Sequence, residues 1–205
     1  LSEAAQRIDY RRIEIDGNAV TLPEGMMIDL GGIAKGYIAD AVKHYMEEKG
    51  VESAILSFGG NIVAIGMKPD GSKWNIAIMD PNDASDYVGY VTLGETAVVT
   101  SGSYQRNFTD ARGKFYHHII DPRTGRPTEN NLLSATVICE DGAMADALST
   151  AVFVMGETYA LRYWRTYGRD FEMILVTKDN EVVCTSGLIE EFSLENQNYT
   201  LRFSE

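Results

Sequence analysis

Three sets of residues in this 205-residue chain have types and spacings that could do chemistry together. The first is Asp29-Leu30-Gly31-Gly32-Ile33-Ala34-Lys35-Gly36, a glycine loop feeding a helix, with a carboxylate ahead of the glycines and a lysine in the first turn. Backbone N–H groups at a helix start lack intrahelical partners, and the helix dipole adds partial positive charge there, so the loop favours an anion such as phosphate. Paired glycines let a ligand or ion approach the backbone closely. A cation in the first turn is electrostatically disfavoured, and a bound polyanion at Lys35 would remove that penalty. The ordinary alternative is a glycine-rich helix entry with a solvated lysine.

The second set is Ala145-Asp146-Ala147-Leu148-Ser149-Thr150-Ala151. Asp146 and Thr150 are i and i+4, so they share a helical face, with Ser149 beside them. A carboxylate plus hydroxyls is an oxygen-only set that suits a hard cation such as Mg²⁺, which leaves its remaining positions to phosphates and water. Helix capping is the common role for such an aspartate, but Asp146 lies several residues beyond the expected helix start at Asp141 or Gly142. The third set is the pair His117-His118 on a strand. Adjacent strand residues point to opposite faces, so the two cannot share a role. His118 reads either as a satisfied core histidine or as a proton acceptor poised near neutral pH.

The elements that must position these groups follow from local pattern. Residues 3–7 read as the tail of a helix. A hairpin spans 12–22 around Asp16-Gly17-Asn18, and Met26–Ile28 is a short strand leading into the glycine loop. A helix is expected over 33–49, with apolar Ile33, Tyr37, Ile38, Ala41, Val42, Tyr45 and Met46 as its stripe and Gly50 as its stop. Strands are expected at 52–56, 62–66, 74–79, 87–93, 96–100 and 133–140, with a further one carrying the histidines. Ser57-Phe58-Gly59-Gly60-Asn61 joins two of them, either as a second backbone clearing for a ligand or as a bulge or turn. Helices follow at 143–155 and 158–167, then strands at 171–177 and 181–186 paired around Asp179-Asn180, and Leu201–Phe203 closes the chain. Strands in hairpin order with few but long helices give an α+β fold of largely antiparallel sheets.

Composition bounds the partners. A net charge of −12 with no cluster of lysine or arginine argues against a nucleic-acid groove. Hydrophobic content of 44% and charged content of 23% are those of a globular protein with a full core. No run reaches the ~20 apolar residues that span a bilayer, and the first residues do not form a signal peptide. Cys139 and Cys184 lack metal spacing and read as small core hydrophobes.

Taken together, five stretches resemble the ApbE family of FAD:protein FMN transferases: DLGGIAKG (29–36), SFGGN (57–61), TSGSYQR (100–106), HHIIDPRTG (117–125) and ADALSTA (145–151). Their order fits from about residue 8 to the end. The resemblance implies an enzyme that cleaves the pyrophosphate of FAD in the presence of Mg²⁺. It would move FMN onto a threonine hydroxyl of an acceptor flavoprotein, within a flavinylation motif, and release AMP. Asp29, Lys35 and Ile120 would contact FAD. The Gly32 carbonyl, Asp146, Ser149 and Thr150 would hold the metal, and His118 would be the catalytic histidine. It further implies that residues 1–205 are one catalytic region, the C-terminal two-thirds of the usual chain. The full-length protein would be extracytoplasmic, with a membrane anchor upstream.

Two other readings fit the same residues. Water in place of the threonine would make the site an FAD pyrophosphatase yielding FMN and AMP. A flavin-binding protein without turnover would hold FAD intact when Mg²⁺ is present. Adding an acceptor separates the first from transfer, because only transfer leaves covalent flavin on protein.

Overall fold

The structure is a computed structural model that describes residue 5, residues 7–167 and residues 170–204. The helix tail expected at 3–7 falls largely outside these. The first elements are a 3-10 turn at Tyr10–Arg12 and a hairpin of β1 (Glu14–Asp16) and β2 (Ala19–Thr21), with Gly17 in the left-handed region at φ 57°. Helix α1 (Ala34–Glu48) follows, then β3 (Ala54–Phe58), β4 (Asn61–Ile65), β5 (Trp74–Met79), β6 (Tyr87–Leu93) and β7 (Thr96–Gly102). Short strands β8 (Asn107–Thr109), β9 (Phe115–His117), β10 (Ile120–Asp121) and β11 (Arg126–Pro127) form two small hairpins. The remainder is β12 (Leu132–Cys139), α2 (Gly142–Thr166), β13 (Glu172–Thr177), β14 (Glu181–Thr185), β15 (Phe192–Leu194) and β16 (Thr200–Ser204).

Seven strands form one sheet in the order β16-β14-β13-β12-β7-β4-β3, antiparallel except for the parallel β14–β16 pair. A three-stranded sheet, β15-β6-β5, covers one face of it, and the two helices cover the other. Successive residues on the central strands serve the two layers in turn. Val99, Val137, Met173 and Leu175 pack with Ala145, Val152, Phe153 and Trp164 of α2. Val98, Ile138, Ile174 and Val176 pack with Ile76, Ile78, Val88, Val91 and Phe192 of the smaller sheet. A strand buried on both faces reads as a largely apolar run, as Leu132–Cys139 does, interrupted by the buried Ser134 and Thr136. Full burial of each such side chain is worth about 1.5–3 kcal/mol. This α+β architecture of mostly antiparallel sheet is the one expected from the sequence. Cys139 and Cys184 are free and lie in the two core layers. Burial pushes the Cys139 thiol up to about 11 and that of Cys184 further.

Three local expectations change. Residues 26–28 form no strand, and Met27 is 90% exposed; a strand needs a neighbour for its backbone groups, and no sheet of the described residues offers one there. Helix α1 forms, closed by Gly50 at φ 83° with the Val51 N–H donated to the Met46 carbonyl, but its apolar stripe is not its packing face. Tyr37, Ile38 and Tyr45 are exposed, whereas Gly36 and Ala39 are buried, because α1 meets α2 through small residues. A Cβ at Gly36 would overlap the Gly142 carbonyl oxygen. The two helices expected at 143–155 and 158–167 are one segment broken at Gly156 (φ 71°, ψ 166°), where Asn130 Nδ2 donates to the Phe153 carbonyl at 2.6 Å. No helix of the described residues is long and apolar enough to cross a membrane.

Candidate functional site

The site forms where the start of α1, the first turns of α2 and the end of β7 converge. Asp29 Oδ1 accepts from the Gly31 N–H at 2.6 Å, which fixes the loop ahead of the glycines and leaves Oδ2 open. The chain then begins to coil, with Ala34 N–H donated to the Leu30 carbonyl at 2.8 Å. Two residues on, the pattern breaks. Gly36 N–H, which a regular helix would donate to the Gly32 carbonyl, is donated to Asp146 Oδ2 at 2.9 Å instead. Among the described residues no donor takes the Gly32 carbonyl. Only glycine at position 36 allows this approach of the two helices.

Asp146 is 3% exposed, and its second carboxylate oxygen makes no hydrogen bond within the described residues. One turn later Thr150 faces the loop: a Cβ at Gly32 would sit 3.9 Å from Thr150 Oγ1. Ser101, at the end of β7, holds both hydroxyls of α2, with its Oγ 2.8 Å from Ser149 Oγ and 3.1 Å from Thr150 Oγ1. Ser149 Oγ also donates to the Asp146 carbonyl at 2.9 Å, and Ser149 is fully buried. It therefore stands behind Thr150, with its hydroxyl already engaged. Among the described residues no cluster of three or more histidine, cysteine, aspartate or glutamate side chains is placed to hold a metal. The donors here are one carboxylate with hydroxyl and carbonyl oxygens, the set that fits a hard cation shared with phosphates rather than a fully enclosed one.

Lys35 lies in the first turn of α1, half-buried, with its Nζ donating to Asn61 Oδ1 at 2.9 Å. Asn61 opens β4 directly after the Gly59-Gly60 turn, where φ is 57° and 97°. That turn is the tight hairpin between β3 and β4, one of the two alternatives the sequence left open.

The two histidines separate, but not by alternation along one strand: β9, expected to carry both, ends at His117, and His118 follows it in a bend. His117 is structural: Nε2 meets the Thr128 carbonyl at 2.9 Å, Nδ1 accepts from Ile119 N–H, and the ring packs edge-on against Phe153. His118 is exposed, and its Nδ1 lies 3.2 Å from the Arg106 carbonyl. A carbonyl only accepts, so Nδ1 carries the proton and Nε2 keeps its lone pair. Partial burial lowers the His118 pKa below 6.5. The Arg106 backbone contact opposes that shift, and the charges of Arg106, His117 and Lys35 add to it. Lys35 and His118 are thus close enough to feel one another's charge.

A cleft of about 920 Å³ opens from Gly32, Ile120 and Thr150 and continues along α2 past Tyr159, Arg162 and Tyr163. Arg123 lines it while paired to Asp121 at 2.8 Å. The structure brings Gly32, Asp146, Ser149 and Thr150 together, and Ile120 lines the same cleft as Gly32 and Thr150. Asp29 lies on the loop and Lys35 in the first turn of α1. Sequence reasoning missed Asn61 as the partner of Lys35, Ser101 as the holder of the α2 hydroxyls, and Asp40. The last accepts the Gly142 and Ala143 N–H groups at 3.0 and 2.8 Å, capping α2 from α1. Asn61 and Ser101 left a trace, inside SFGGN (57–61) and TSGSYQR (100–106), and Asp40 left none.

Known proteins resemble the chain in sequence and in fold. The chain is 39% identical to an FAD:protein FMN transferase of Klebsiella pneumoniae over 85% of its own length and 53% of that relative. It is 32% identical to one of Treponema pallidum over 98% of its length and 60% of the relative. The crystal structure of the ApbE protein from Thermotoga maritima superposes with a TM-score of 0.78 at 35% identity, covering 86% of this chain and 57% of that one. The flavin transferase ApbE from Vibrio cholerae gives 0.69 at 29% identity, covering 93% and 57%. The chain thus spans a little over half the length of these relatives, a smaller share than the two-thirds implied by its motifs. The ApbE family model matches residues 1–175, and with these relatives it shows that the chain belongs to the ApbE family.

Proposed function

We propose that the chain carries the pyrophosphate-handling part of an FAD:protein FMN transferase. The reaction breaks the P–O–P bridge of FAD, forms a phosphoester between FMN and a threonine hydroxyl of an acceptor flavoprotein, and releases AMP. The observation that carries this reading is the diversion of Gly36 N–H to Asp146 Oδ2. It leaves the Gly32 carbonyl without a helical partner, beside Thr150 and at the mouth of the cleft.

Asp146, Thr150 and the Gly32 carbonyl would hold Mg²⁺, with Ser149 and Ser101 fixing Thr150 from behind; the ion would neutralise charge on the pyrophosphate oxygens. Lys35 supplies a positive charge to the same oxygens from the loop side. Asp29, with Oδ1 committed to Gly31, offers Oδ2 to a donor group of FAD, and Ile120 contributes an apolar surface. His118, protonated at Nδ1 by its contact with Arg106, presents Nε2 to the acceptor hydroxyl and removes its proton as the new P–O bond forms. Catalysis here is positioning and charge neutralisation with general-base help.

Incubation with FAD, Mg²⁺ and an acceptor flavoprotein tests the reading. Covalent flavin on the acceptor with AMP in solution supports it. Free FMN and AMP alone identify a hydrolase, and intact FAD identifies a binding protein.

A further inference from the structure

Asn61 is fully buried, and its two ends have different fates. Oδ1 accepts from Lys35 Nζ at 2.9 Å, while Nδ2 is buried with no hydrogen-bond partner among the described residues. Turning the amide over would place N–H groups against the ammonium, so Lys35 fixes its orientation. The result is a buried donor left unpaired, an arrangement that folding alone does not favour. Aspartate has the same shape and would accept from Lys35 equally well. It would also remove the unpaired donor and pair the lysine's charge. Against this stand the burial of a second charge and an oxygen left in place of the unpaired donor, which the ion pair would offset, so fold stability alone does not select asparagine at this position.

Charge gives one. A carboxylate at 2.9 Å would cancel most of the ammonium's field, whereas an amide oxygen fixes the ammonium and leaves its charge intact. We propose that Asn61 is a positioning residue for Lys35, a neutral anchor that keeps a full positive charge aimed at the substrate's pyrophosphate. The Gly59-Gly60 turn serves this by delivering Asn61 at the first position of β4, paired with Phe58 across the hairpin and with Val99 on β7. The lysine, on a helix start that disfavours cations, is thereby held in place without an acidic partner. The proposal rests on the reading that Lys35 faces the FAD pyrophosphate.

The test is FAD affinity by quenching of flavin fluorescence, with thermal melting, for Lys35→Met, Asn61→Asp, Asn61→Ser and Lys35→Met/Asn61→Asp in the full chain. Lys35→Met is expected to weaken FAD about tenfold or more. Asn61→Asp should approach that loss while still melting as a folded protein, and the double variant should lose no more than Lys35→Met alone. Asn61→Ser, neutral and smaller, should keep more affinity than Asn61→Asp. Wild-type affinity in Asn61→Asp beside a weakened Lys35→Met overturns the role of Asn61 and leaves the site reading standing. An equal loss in Asn61→Ser and Asn61→Asp overturns it too, because charge would not be the cause. Unchanged affinity in Lys35→Met, or no FAD binding by the wild-type chain, removes the site reading itself.

Discussion

Gly36 and Asp146 lie 110 residues apart in sequence, yet the Gly36 N–H is 2.9 Å from Asp146 Oδ2. The contact has a counterpart. Asp40 on α1 accepts the first two N–H groups of α2, while Asp146 on α2 accepts a first-turn N–H of α1. Each helix thus takes part in capping the other, with two orphan donors of α2 and one of α1 satisfied across one interface. The same exchange frees the Gly32 carbonyl and pins one oxygen of Asp146, so the packing of two helices and the assembly of the donor set are one event.

Asp146→Asn and Asp146→Ala should therefore separate two roles. Asparagine keeps an acceptor for Gly36 N–H and removes the charge, so it should melt near the wild-type temperature and lose the stabilisation that added Mg²⁺ gives. Alanine leaves a buried donor unpaired and should cost about 1–3 kcal/mol in urea denaturation. A wild-type Mg²⁺ response in Asp146→Asn would remove Asp146 from the metal set.

Gly36→Ala should force α1 away from the Gly142 carbonyl. Overpacking of this kind costs about 1–3 kcal/mol. Because Lys35 is the preceding residue, FAD affinity should fall along with stability. Urea denaturation and a flavin-binding titration on the same variant measure both, and wild-type values in the two would contradict the close-packed helix pair.

Ser101 touches both hydroxyls of α2, so Ser101→Ala should loosen Thr150 without removing any proposed ligand. A supporting residue of this kind typically contributes about 10–100-fold to metal affinity. Ser101→Thr, which keeps the hydroxyl, should recover most of it. A Mg²⁺ titration unmoved by Ser101→Ala would show that the cluster only packs.

His118 is neutral above its lowered pKa and loses its lone pair below it. The acid limb of the pH–rate profile should lie under pH 6.5, with activity falling as pH drops through it. His118→Ala should lower turnover about 10²–10⁴-fold, abolish that limb and leave FAD affinity near wild type. Loss of FAD binding with normal residual turnover would assign His118 to binding instead.

Much of this arrangement is legible in the sequence where the signal is local. The largely apolar runs of the central strands fit burial on both faces. Asp146 and Thr150 reveal their shared face by spacing alone. What stays hidden depends on contacts between distant segments. Asn61 and Lys35 are 26 residues apart, and Ser101 and Ser149 are 48 apart, so no window of sequence contains either pair. The helix stripe misleads for a related reason. Tyr37, Ile38 and Tyr45 have the right period for a core face, yet the partner helix admits only the backbone at Gly36.

The intact mass of an acceptor flavoprotein, measured after incubation with the chain, FAD and Mg²⁺, tests the central claim most directly. The account predicts a gain equal to FMN less one water, absent when the acceptor threonine is replaced and strongly reduced with Asp146→Asn or His118→Ala. An acceptor of unchanged mass alongside wild-type conversion of FAD to FMN and AMP would contradict it.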